Sequence, residues 1–154
     1  MPHTLATVVA ALIALLGILA APVLAEGTSD GSSTEAASET AYAEARALVD
    51  AGNFVAALPI LISITKDGAA NADAWNLLGF TNRKLGNLDE AAVAYDTALT
   101  LNPDHLGALE YQGELFLETG KPDLAKANLE RLKGLCGACE EAEDLGSAIA
   151  AMGA

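Results

Sequence analysis

Apolar and polar positions divide this chain into stretches of different character. From Leu5 to Ala21 there is no charged residue, and the run is Ala, Val, Leu and Ile with one Thr and one Gly. The following twelve residues, Glu26 to Ala37, contain no aromatic residue and no Val, Leu or Ile. Such a segment has nothing to bury, and its composition predicts a flexible linker over 26–37. Beyond it the apolar residues recur with helical spacing, and the pattern repeats itself. Gly52, Gly86 and Gly120 lie 34 residues apart. Five residues after each comes Ala57, Ala91 or Ala125, and nine after comes Leu61, Tyr95 or Leu129. Seven before each comes a small residue, Ala45, Gly79 or Gly113. The last stretch opens acidic at Glu140, which favours a helix N-terminus, and carries Leu145, Ala148, Ile149 and Met152 on one helical face.

Each recurring residue suits one task in a helix–turn–helix unit. The three glycines can close a first helix in the left-handed conformation that other residues resist. The small residues let two helices approach closely. Asn53 and Asn87 are placed as N-caps, Pro122 suits a first helical turn, and Asn102-Pro103 stops a second helix. Pro59 falls inside a predicted second helix and should remove one early hydrogen bond there.

The period and its residues resemble the tetratricopeptide repeat (TPR), whose pattern is W-x2-L-G-x2-Y…A-x3-F…P. The middle unit matches best, with Trp75, Leu78, Gly79, Ala91, Tyr95, Ala98 and Pro103, and departs at Asn82, where the pattern has Tyr. The first unit lacks the aromatic at Ala41 and the Leu at Glu44; the third has Gln112 for Leu and Gly137 for the proline. The resemblance implies an all-α, right-handed helical solenoid. Its three helix–turn–helix units are 38–71, 72–105 and 106–139, and 140–154 form a capping helix and tail. A repeat of this kind cannot cover its own apolar stripe, so three units and a cap are near the minimum for stability.

In TPR proteins the first helices line a concave groove that takes peptides or partner helices. By register the groove positions here are Tyr42, Arg46 and Val49; Asp73, Asn76, Phe80 and Arg83; and Glu110, Glu114 and Leu117. The resemblance therefore implies a scaffold or adaptor for a protein or peptide partner, with Tyr42 and Phe80 as contact rings. The groove reads as basic at Arg46 and Arg83 and acidic at Glu110 and Glu114, so a partner segment of carboxylate character is expected at the arginine end. Clamping of a C-terminal carboxylate would need cations where Glu110 and Glu114 stand, which argues against that mode.

Charge and chemistry narrow the classes further. The net charge is −13, and all 8 basic and 21 acidic residues lie beyond Ala25. That field repels phosphate backbones and anionic membrane surfaces, so nucleic acid is not an expected partner. One histidine, His105, lies beyond Ala25 and reads as a surface turn residue. No EF-hand spacing or glycine-rich phosphate loop occurs, and the expectation is a non-enzyme without metal or cofactor. Trp75 and Tyr95 read as core residues set by the repeat.

Cys136-Gly137-Ala138-Cys139 stands apart. Two cysteines cannot complete a four-ligand zinc site. In an oxidising compartment they are expected to form a disulfide that ties the cap to the last repeat. A redox pair, copper handling and an intermolecular link remain open, and they give the alternative function of a periplasmic thiol-redox or metal-handling accessory protein. Glu140, Glu141, Glu143 and Asp144 crowd the pair, whereas reactive thiolates sit in electropositive surroundings.

The apolar run ends at Ala21-Pro22, and Val23-Leu24-Ala25 follows as a small-residue cleavage signal. This layout reads as a secretory signal peptide over 1–25, placing the rest in the periplasm or outside the cell. The n-region Met1 to Thr4 lacks Lys and Arg. The competing reading is an uncleaved inner-membrane anchor, the one case in which a membrane would be a partner. N-terminal sequencing of the expressed protein should begin at Glu26; an intact Met1 on a membrane-bound species would establish the anchor instead.

Overall fold

The computed structural model describes residues 30–66 and 71–153. The segment 1–25 read as an export signal lies outside the described residues. Seven helices follow one another among them: α1 (Asp30–Asp50), α2 (Phe54–Lys66), α3 (Ala72–Lys84), α4 (Leu88–Leu101), α5 (Leu106–Glu118), α6 (Pro122–Cys136) and α7 (Glu140–Ala151). None of them is long and apolar enough to cross a membrane.

The first helix corrects one expectation. α1 begins at Asp30, so residues 30–37 are its opening turns and not a linker; residues 26–29 lie outside the described part. Apolar content was the wrong guide here. A helix already anchored by its later turns propagates at one hydrogen bond per added residue, and Glu35, Ala36 and Ala37 are good helix formers.

The turns closing the first helices are built alike three times. Gly52, Gly86 and Gly120 have φ of 73°, 82° and 72°. The residue after each glycine donates its N–H to a carbonyl five back: Asn53 to Leu48, Asn87 to Asn82 and Lys121 to Phe116. Each glycine N–H bonds three back, to Val49, Arg83 and Leu117. This paired 6→1 and 5→2 pattern is the Schellman motif. The start of α4 differs from expectation: Asn87 stands at the cap position, but its amide turns back to Asn82 Oδ1 at 3.2 Å and caps nothing. Asn71 caps α3 instead, its side chain accepting from the Ala74 N–H at 2.9 Å. α2 runs unbroken through Pro59.

Helices pair along the chain, α1 with α2, α3 with α4 and α5 with α6, while α1, α3 and α5 also touch in succession. α7 lies against both α5 and α6. The core runs through the stack in three clusters. Ala45, Leu61, Leu77 and Ala94 join the first two pairs; Ala91, Tyr95 and Leu115 join the second pair to the third; and Leu109, Leu132, Leu145 and Ile149 seal the third against α7. Tyr95 is fully buried and Trp75 is half-buried against the first cluster.

Two glycines set how closely the helices meet. A Cβ on Gly79 would lie 2.6 Å from Cε1 of Tyr95 on α4. The equivalent atom on Gly113 would lie 2.5 Å from Cδ2 of Leu145. At Gly113 the nearest neighbour is thus the cap, not the partner helix of its own repeat, which corrects the reading of that position. Gln112, a departure from the repeat pattern, is buried and donates to Asp96 Oδ1 at 2.7 Å while its Oε1 accepts from Asn128 Nδ2 at 3.0 Å. The polar substitution therefore links α4, α5 and α6.

Gly79→Ala should destabilise the fold by about 1–3 kcal/mol through overpacking against Tyr95, despite the roughly 1 kcal/mol by which Ala favours a helix over Gly. Gly134→Ala in α6, where an added Cβ meets nothing within 4 Å, should instead stabilise by about 0.5–1 kcal/mol. Urea melts of the two variants check this, and equal midpoints would refute the close approach at Gly79.

Candidate functional site

The first helices present one face of the stack, and a cleft of about 380 Å³ opens along it. The 34-residue register places Tyr42, Asn76 and Glu110 at one repeat position, and all three line the cleft, with Arg46 and Phe80 from the adjoining position. Seven of the ten expected groove residues, Val49 and Asp73 among them, are thus brought together; Leu117 is not. Glu114 and Arg83 are not in the cleft. They line a second, shallower depression with Glu118, Leu117 and the end of α7. α7, packed on α5 and α6, lines both, the cleft with its first turns and the depression with its last.

Arg83 corrects the charge reading of the groove. It is only 8% exposed, and its Nη1 donates to Glu118 Oε1 at 2.6 Å while Nη2 donates to Glu114. Its guanidinium also stands 5.7 Å from the Phe80 ring centre and 5.9 Å from that of Tyr111. Arg83 therefore fastens α3 to α5 and offers no open positive spot. Truncating Arg83 would remove this link between α3 and α5, so such a variant reports on folding as well as on binding. Arg46 is more open, and its Nε donates to Asp50 Oδ1 at 3.3 Å.

The cleft holds residues that the register did not nominate. Tyr111 lies one residue after Glu110 and its ring centre is 4.9 Å from that of Phe80, which in turn meets Phe54 edge-on at 6.1 Å. Glu140, Glu141 and Asp144 enter from the first turns of α7. An aromatic four residues after Gly107 on the same helical face was a usable signal for Tyr111. Nothing local could have placed the α7 carboxylates on the same cleft as residues of α1 and α3. His105 is also more than a turn residue: its Nδ1 accepts from the Ala108 N–H at 3.1 Å, capping α5. The hydrogen is then on Nε2, which donates to Asp73 on α3 at 3.0 Å.

These pairings leave an unbalanced surface. Asp50 is matched by Arg46, and Asp73 accepts a hydrogen bond from the neutral His105 ring, which does not offset its charge, while Glu110, Glu140, Glu141 and Asp144 form no ion pair with a described residue. Glu110 is 7% exposed. Burial, then the charges of Glu114, Asp144 and Glu141, push its carboxyl up to about 8, with Arg83 pulling weakly the other way. Just before these α7 carboxylates, Cys136 closes α6 and Cys139 precedes α7, their Cα atoms 5.7 Å apart across Gly137-Ala138.

Comparison with known proteins agrees with this architecture. Residues 72–105, spanning α3, α4 and the turn into α5, match the tetratricopeptide repeat family model. No curated protein matches the chain by sequence. Solved structures do. PcrH from Pseudomonas aeruginosa is 21% identical with a TM-score of 0.69, over 78% of this chain and 94% of that one. PcrH in complex with the chaperone binding region of PopB is 22% identical with a TM-score of 0.65, over 77% and 95%. The Yersinia enterocolitica type III secretion chaperone SycD, in complex with a peptide of the translocator YopD, is 18% identical with a TM-score of 0.64, over 74% and 87%. At these identities the likeness establishes the fold.

The Glu110 carboxyl links stability to pH. Below its ordinary value of 4.5 the folded and unfolded states both hold the proton. As pH rises from there to about 8, the unfolded chain releases it and the folded one does not, so stability is lost across that window. Glu110→Gln should melt like the parent near pH 4.5 and be more stable at pH 8 by about 1–3 kcal/mol. Parallel stability curves for the two proteins between these pH values would show that Glu110 ionises normally.

Proposed function

We propose, from the premise that this chain is a tetratricopeptide-repeat protein, that it is an exported, non-catalytic scaffold or adaptor whose cleft holds a peptide segment of a protein partner. The observation that carries the reading is the cleft itself. Three repeat-equivalent positions line it, and the half-buried rings of Tyr42, Phe80 and Tyr111 are open to a ligand within it. Binding energy concentrates in a few such aromatic anchors, and rings supply large contact area at little entropic cost. The volume lies in the range of about 300–1,000 Å³ typical of ligand sites. Two solved relatives, PcrH and SycD, are held in complexes with a region or peptide of another protein, which supports the same class of partner here.

Export and the cysteine pair belong to the same proposal. A cleaved segment 1–25 would deliver the domain to an oxidising compartment, where Cys136 and Cys139 would be a disulfide staple between α6 and α7. A loop so short contributes only about 2 kcal/mol by the chain-entropy estimate. Its position matters more than its size, because α7 contributes three carboxylates to the cleft.

The test uses the partner captured from cell-envelope extract with the purified protein. Tyr42→Ala combined with Phe80→Ala should weaken its binding at least about tenfold, with helical content retained. Serine at both Cys136 and Cys139 should lower the melting temperature and leave affinity within about twofold. Undiminished binding by the folded aromatic variant would move the contact to the convex face; a cysteine variant that melts like the parent yet loses function in cells would favour the thiol-redox alternative.

A further inference from the structure

The cleft specifies the chemistry of its ligand more closely than its aromatic walls do. Glu110 is more than nine-tenths buried, lines the cleft and accepts no hydrogen bond from any described residue. Asn76, at the equivalent position one repeat earlier, has its Oδ1 buried without a donor. Asn76 Oδ1 lacks a donor, and the Glu110 carboxyl at the equivalent position has no partner for the charge it carries once its proton leaves. Of the cations nearby, Arg83 is held by Glu114 and Glu118 and Arg46 pairs with Asp50, while Lys84 stands over the Phe80 ring, 5.1 Å from its centre, and does not line the cleft. Glu140, Glu141 and Asp144 extend the same sign along the rim.

A buried carboxyl without a partner is costly to keep. The cost vanishes if a ligand supplies a cation with N–H donors, since a paired and hydrogen-bonded charge is tolerated where a lone one is not. We propose that the cleft takes one Lys or Arg side chain of the partner peptide, its charged head on Glu110 and its alkyl stem against the rings of Tyr42 and Tyr111. This rests on the reading of the cleft as a peptide site and reverses the expected charge of the partner segment there. A bare metal ion does not fit the same features, because no group of three His, Cys, Asp or Glu side chains among the described residues is arranged to hold one. A Lys or Arg side chain fits both parts of the site: its methylene stem covers apolar surface, its head attracts ring faces, and the acidic rim steers it inward. The raised proton affinity of the Glu110 carboxyl is consistent with this, since an arriving cation takes the place of the proton.

The experiment selects random displayed peptides on the purified protein and on Glu110→Gln. The expected result is a set of parent-selected peptides sharing one fixed Lys or Arg, absent from the set selected on Glu110→Gln. A chosen lysine peptide should bind Glu110→Gln at least about tenfold more weakly than the parent. Its norleucine analogue should bind both proteins alike, an arm that leaves the parent fold untouched. Enriched peptides without a basic preference, whose binding is lost in Tyr42→Ala, would overturn the cation pocket and leave the peptide groove standing. No enrichment on the parent would overturn both.

Discussion

The cleft depends on how closely helices meet at Gly79 and Gly113. At Gly79 the absence of a side chain lets α4 bring Tyr95 against the backbone of α3, and Tyr95 then carries the contact onward to Leu115 of α5. At Gly113 the same absence admits Leu145, which seats α7 across α5. The first contact sets how closely α4 packs on α3. The second decides where the groove ends. Both are close approaches in which even one methyl group would displace the buried Tyr95 or Leu145 side chain, so core packing beside the cleft rests on the same two backbone positions.

Electrostatics are arranged around that frame. A net charge of −13 could spread evenly over a small solenoid, yet both arginines of the groove helices are tied up in pairs and Lys84 lies over the Phe80 ring outside the cleft lining. Arg83 in particular is spent on holding α3 to α5. Its removal from the accessible surface leaves the cleft acidic, with Glu110 at the base and the α7 carboxylates at the rim. The cap is thereby part of the site. Its first turn supplies charge, and the Cys136-Gly137-Ala138-Cys139 turn lies where that helix is joined to the stack.

Departures from the repeat pattern are polar side chains that bond between units or within one. Gln112 replaces an apolar residue and links Asp96 to Asn128 through hydrogen bonds across three helices. Asn82 replaces an aromatic and bonds to Leu78 O and to Asn87. In each case a buried polar side chain is satisfied by neighbours, as burial requires.

The chain by itself determined the helical units, their turns and the column Tyr42, Asn76 and Glu110. These follow from local rules: a glycine closes a helix at positive φ, and a fixed period returns each side chain to the same face. It did not determine that residues 30–37 are helical, because composition reports what a segment can bury and not whether a neighbouring helix will propagate into it. Nor did it determine the sign of the cleft. A register places Arg83 on the inner face but says nothing of Glu118 one turn beyond Glu114, or of the ion pairs that withdraw the guanidinium. The entry of Glu140, Glu141 and Asp144 likewise depended on where α7 crosses α5. Charge at a site is a sum over residues distant in sequence, and only tertiary contact decides which of them are neutralised and which remain.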